Sequence, residues 1–186
     1  MLSLTPLLAA ALVAAPTDAD PAGPALPDEA PRLDSGGRVE PAVVPLADPA
    51  PPPPSRSFPV DGDVTWGDGF GERVGGHDGV DVLARCGTPL HAVRAGRVVL
   101  RTTDGAAGRH LVLRAGRGEH VYMHLQDVAV AQGERVRAGD RLGTVGATGN
   151  ATTCHLHFEA WRAPGWHRGA AHDPEPMLRV LARRSG

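Results

Sequence analysis

The chain has 186 residues, 41% of them hydrophobic and 22% charged, enough for one ordinary globular domain with a segment to spare. Its net charge of −2 excludes an overall electrostatic case for binding nucleic acid or an anionic membrane. Lysine is absent, which removes the phosphate-binding loop ending in Gly-Lys, Schiff-base chemistry and serine–lysine pairs together. The opening stretch, "MLSLTPLLAAALVAAP", has an apolar centre of secretory-signal length, and residues 1–19 are expected to be a signal peptide. Small residues at Ala11, Ala14, Ala15 and Ala19 leave its cleavage point open. Residues 20–56 are expected to form a proline-rich, disordered linker: residues 1–56 hold 13 of the 18 prolines, and Pro51 to Pro54 favour an extended, stiff chain. Charge changes sign at the same place, from seven acidic and three basic residues before position 57 to 14 and 16 after it. The globular domain is therefore placed at residues 57–186.

From Phe58 onward, short apolar or alternating runs are separated by glycines: "GVDVLA", "TPLHAV", "GRVVLRT", "RHLVLRA", "EHVYMHL", "VAVAQGERV", "DRLGTVG" and "CHLHFEAW". These are strand lengths with turn punctuation, and only "PEPMLRVLARRS" has a helical pattern. The fold class is mainly β. Two phrases echo each other, "GTPLHAVRAGRV" and "GERVRAGDRLGTV", as near-duplicate strand-turn units suited to two sheets folded over one another. Two cysteines, Cys86 and Cys154, suit a single disulfide in an exported protein. Closing that loop restricts the unfolded chain by roughly 4 kcal/mol in the entropy model.

In a strand, side chains alternate between faces, so His155 and His157 share one face while Leu156 and Phe158 share the other. Nine histidines placed at random give about 0.4 such His-x-His pairs, so the pair alone is weak. The same alternation puts His120, Tyr122 and His124 opposite Val121, Met123 and Leu125. In "GGHDGVDVLA", His77 and Asp81 straddle Gly79 on a loop entering a strand, with Val80, Val82 and Ala84 facing inward. Zinc in a hydrolase takes three protein ligands and keeps a position open, so His77, Asp81, His124, His155 and His157 are five candidates for three places. His91, His110, His167 and His172 are expected at the surface or in loops, and His120 on the surface beside His124.

From about Trp66 to Leu178 the chain resembles the zinc metallopeptidases of the lysostaphin and LytM type, family M23. The resemblance rests on "FGERVGGHDGVD", "GTPLHAVRAGRV", "YMHL", "VRAGDRLGTVGATGNATTCHLHFE" and "HDPEPML". It implies a two-sheet antiparallel β-sandwich with a groove, of the duplicated hybrid motif type. It also implies one Zn²⁺ per domain, held by His77, Asp81 and His157. His124 and His155 would be the catalytic pair, one accepting a proton from water and the other stabilising the developing charge. The strand before "YMHL" carries His110, Arg114 and Ala115 where many relatives have Asn and an Asp-His pair, and position 71 is Gly where some place a tyrosine. There is no HExxH helix to supply a glutamate base.

The function implied is zinc-dependent endopeptidase cleavage of the cross-links or stem peptides of bacterial peptidoglycan, by a secreted or cell-wall-associated protein. Its partners would be peptidoglycan peptides, with no nucleic acid, no membrane in the mature form, and a monomeric state. The competing function is a non-catalytic module that keeps the fold to bind the wall or regulate a hydrolase. Because the imidazoles must be neutral to bind or accept, activity is expected to fall below about pH 6.

Overall fold

The computed structural model describes residues 55–185; the expected signal peptide and all but the last two residues of the linker lie outside them. In chain order the elements are β1 (Thr65–Trp66), β2 (Gly79–Leu83), β3 (Pro89–His91), β4 (Gly96–Asp104), β5 (Gly108–Ala115) and β6 (Gly118–Leu125). They continue as β7 (Asp127–Val128), β8 (Arg135–Val136), β9 (Arg141–Thr144), β10 (His155–Arg162), β11 (Ala171–His172) and α1 (Glu175–Ser185). The strands build an eight-stranded sheet, ordered β1-β2-β10-β6-β5-β4-β8 with β11 on β10, and a three-stranded sheet, β3-β9-β7. All pairings are antiparallel, as expected for strands joined by tight glycine turns.

The two echoing phrases pair with each other. Their first and second strands cross over, so that β3 lies against β9 in the small sheet while β4 lies against β8 in the large one. Each phrase therefore spans both layers, which is how a short repeated unit closes a two-layer core. That core fills the space between the sheets: Val80, Val82, Leu111, Leu113, Tyr122, Leu156 and Phe158 from the large sheet meet Leu90 and Leu142 from the small one and Val145 just after it. Helix α1 completes it with Leu178 and Leu181, and Arg179 stacks 4.3 Å over the Trp66 ring. No helix among the described residues is long and apolar enough to cross a membrane.

The large sheet has a second buried face. A smaller cluster of Ala107, Val112, Val121, Met123 and Trp161 lies on the side away from the main core. Strand β10 is consequently buried on both faces from His155 to Trp161, not half-wet as alternation alone suggested. Cys86 and Cys154 form a disulfide, which ties the turn before β3 to the loop before β10.

Candidate metal centre

Strands β2 and β10 pair with His157 directly opposite Asp81, so both side chains rise from the same face. His77 reaches the same point from the loop before β2. Between them Gly79 is required by space: a methyl group there would sit 2.4 Å from the Phe158 carbonyl oxygen and 2.9 Å from His157 Nε2. Three ligand atoms then converge. His157 Nδ1 lies 2.8 Å from Asp81 Oδ1 and 3.0 Å from His77 Nε2, and His77 Nε2 lies 3.3 Å from Asp81 Oδ1. All three residues are buried.

Their outer partners fix which nitrogens carry protons. His77 Nδ1 is 2.7 Å from the Gly69 carbonyl oxygen, which can only accept, so Nδ1 donates and Nε2 keeps its lone pair. His157 Nε2 is 3.1 Å from Glu159 Oε1, so Nε2 donates and Nδ1 faces inward. Glu159 is held in turn by the Trp161 indole N–H at 2.7 Å. Arg73 donates to the outer oxygen of Asp81 and, at 2.7 Å, to Asp68. His77 Nε2, His157 Nδ1 and an Asp81 oxygen thus crowd one small space, where a cation, either a proton on His157 Nδ1 or a metal ion in its place, relieves their mutual repulsion. His157 records that demand: burial pushes its pKa down, but Asp81 and Glu159 outweigh burial and carry it up to about 9. Burial likewise pushes Asp81 up, and the neighbouring His157, His155 and His77 bring it below the usual carboxylate range. The ligand atoms of His77, Asp81 and His157 lie close enough together to hold one metal ion, and two imidazole nitrogens with a carboxylate oxygen are a donor set that suits zinc.

His124 arrives by a different route. Strand β6 carries one extra residue opposite β5, between the pairs Arg109–Leu125 and Leu111–Tyr122, and His124 takes a left-handed backbone with φ 64°. Such a bulge re-aims a side chain. It sends His124 to the same side as Met123, and strict alternation fails here. His120 and Tyr122 instead face the main core, where both rings pack on Phe158 at 5.2 and 5.1 Å. The grouping of His120 and Tyr122 with His124 is thus corrected, as is the surface position expected for His120. His110 is also buried, beneath Trp166. His91 pairs with Asp61 at 3.0 Å, and His167 stacks on Trp166 at 4.2 Å.

His124 and His155 face each other with ring centroids 4.7 Å apart, and His155 Nε2 lies 3.6 Å from Asp81 Oδ1. Each spends Nδ1 on a backbone carbonyl of one loop, His124 on Thr148 at 2.8 Å and His155 on Thr153 at 2.9 Å. Their Nε2 atoms are left as lone pairs. Burial holds the His124 pKa below the ordinary imidazole value, against the pull of the Thr148 carbonyl. A cavity of about 510 Å³ opens over His124, His155 and His157, with Arg73, Asp104, Trp166 and His167 also on its walls. Sequence reasoning missed Glu159, Gly69 and the loop carbonyls. Glu159 had a visible signal, because it follows His157 by two residues on the same strand face.

Comparison with known proteins places this geometry in a family. Over 113 residues the chain is 36% identical to a glycyl-glycine endopeptidase, ALE-1, of Staphylococcus capitis, covering 59% of this chain and 31% of that protein. It is 36% identical over 89 residues to the peptidoglycan DD-endopeptidase ShyA of Vibrio cholerae, covering 47% of this chain and 21% of that one. The chain therefore matches about a fifth to a third of the length of these curated relatives. Among solved structures, the catalytic domain of lysostaphin from Staphylococcus simulans superposes with a TM-score of 0.59 at 32% identity, covering 62% of this chain and 92% of that domain. The profile described as peptidase family M23 matches residues 75–174, more than half of the sequence, and on that match the chain belongs to peptidase family M23.

Proposed function

We propose that the protein is a zinc-dependent endopeptidase that hydrolyses peptide bonds in the stem peptides or cross-links of bacterial peptidoglycan. The observation that carries this reading is that His124, His155 and His157 share one cavity while His157 also joins His77 and Asp81 in a ligand cluster, each of the four rings having one nitrogen spent on an outer acceptor. The named activities of ALE-1 and ShyA support the substrate class. His77 Nε2, Asp81 Oδ1 and His157 Nδ1 would hold the metal. Zinc supplies Lewis acidity toward water and the peptide carbonyl when bound.

The chain's own residues handle the protons. In the neutral rings of His124 and His155, Nε2 is the basic atom, so either accepts a proton from water within the cavity. Once protonated, the same atom donates to a developing oxyanion or to the leaving amine. The carbonyls of Thr148 and Thr153 keep each ring in the tautomer this requires. Glu159 is spoken for by His157 and Trp161 and is not on the cavity wall. We further propose an extracytoplasmic site of action, with residues 1–19 as signal peptide, 20–56 as linker and 57–186 as the enzyme domain. A disulfide beside the active site suits such an oxidising compartment.

The test is to incubate the full chain with intact peptidoglycan and assay new amino groups. Release that stops with chelator and returns with added zinc is the expected result. Release that is indifferent to chelator, or absent in the zinc-loaded protein, contradicts the reading.

A further inference from the structure

Charge in the folded domain is balanced in number but not in place. Arg97 on β4 lies directly opposite Arg114 on β5 and directly opposite Arg135 on β8. Three arginines therefore stand in one row across three neighbouring strands, with side chains on one face. Like charges opposed in this way cost stability, so folding alone gives no reason for the row. Arg114 has a carboxylate partner, Glu119 at 2.8 Å, and Arg97 donates to the Gly133 carbonyl at 2.6 Å. Among the described residues no ion pair is formed by Arg135 or Arg137. The shallow depression that Arg97, Arg114, Arg135 and Arg137 line contains no carboxylate and no aromatic ring.

The row shares a face with the metal centre. Val98 is buried in the main core, so Arg97 points to the other side of the sheet. There, Val99 packs on the cluster of Val112 and Met123, and Met123 is part of the cavity wall beside His124. An apolar strip thus joins the arginines to the groove.

We propose that this arginine row is a docking site for a linear phosphodiester polymer of the bacterial cell wall, which would hold the wall against the groove. The proposal rests on the reading that the protein acts on peptidoglycan. Guanidinium forks match phosphate oxygens in pairs, and neighbouring strands repeat every ~4.8 Å. The row therefore presents closely spaced positive charges to a chain of closely spaced anions, a better match than isolated carboxylates. The depression has no ring on which bases could stack, which argues against single-stranded nucleic acid.

The experiment measures binding of the full chain to labelled poly(glycerol phosphate) at about 150 mM salt, beside poly-glutamate and duplex DNA of equal charge. The expected result is preference for the glycerol phosphate polymer, and binding at least about tenfold weaker in the Arg97→Ser/Arg135→Ser double variant. That variant should melt at the same or a higher temperature and cleave a short soluble peptide at the native rate. It should lose activity only on walls that carry the polymer. Equal binding by the variant, tighter binding to poly-glutamate or DNA, or a lowered melting temperature would overturn the proposal. Failure of the peptidase reading would instead appear as no cleavage of any substrate, with the binding result unaffected.

Discussion

The two faces of the large sheet bury histidines to opposite effect. On the groove face His157 lies between Asp81 and Glu159, and its pKa rises to about 9 in spite of burial. On the core face His120 packs on Phe158 with Nδ1 unpartnered. Burial, then Arg94, His172 and Arg56, drives its pKa down to about 4. Burial alone makes a neutral imidazole. Burial beside carboxylates makes a place for a cation, whether a proton or a metal. The difference between a packing histidine and a metal-binding one therefore lies in the neighbours on its face, not in its depth.

Substitutions should separate the two faces cleanly. Asp81→Ala removes the only ligand carboxylate and is expected to abolish zinc binding, with hydrolysis falling by about 10³-fold or more. Metal analysis beside peptide-release kinetics would check this, and retained zinc with retained turnover would refute the ligand set. His124→Ala should keep its zinc and lose roughly 10²- to 10⁴-fold in kcat. Loss of zinc in that variant would move His124 from proton transfer to coordination.

On the core face the readout is stability. His120 binds its proton near pH 4 when folded and near 6.5 when unfolded, so the unfolded state takes up the extra proton between these values. Stability should fall as pH drops from about 6.5 to 4, by roughly 3 kcal/mol from this residue. His120→Leu should flatten that slope in denaturant titrations, and an unchanged slope would show that the ring is not buried neutral. In the metal-free protein His157 acts in the opposite sense: its contribution is full below about 6.5 and is lost as pH rises through about 9. The smallest effect expected is from Glu159→Gln, which weakens the orientation of His157 and should lower zinc affinity by about 10- to 100-fold with turnover of the loaded enzyme nearly kept.

Much of this was legible in the sequence for a physical reason: alternation is a local property. It placed Asp81, His155 and His157 on one face and Val80, Val82, Leu156 and Phe158 on the other, as the strands have them. It failed at His124, because an extra residue in β6 and a left-handed backbone reverse the face after Met123. No local pattern around "YMHL" announces that bulge; it is set by the pairing with β5. The depth of His120 and His110 was also missed, since burial of both faces of a sheet depends on what covers each of them. The carbonyls of Gly69, Thr148 and Thr153 carry no side-chain signature at all. The arginine row was hidden by a nearly neutral total, and strand register brings it together.

The account turns on which atoms surround the metal. Crystals of the zinc-loaded protein, measured at the zinc absorption edge, should show one anomalous peak per chain, bounded by His77 Nε2, an Asp81 carboxylate oxygen and His157 Nδ1. A peak elsewhere, or a His157 ring turned so that Nε2 meets the ion and Nδ1 meets Glu159, would contradict it.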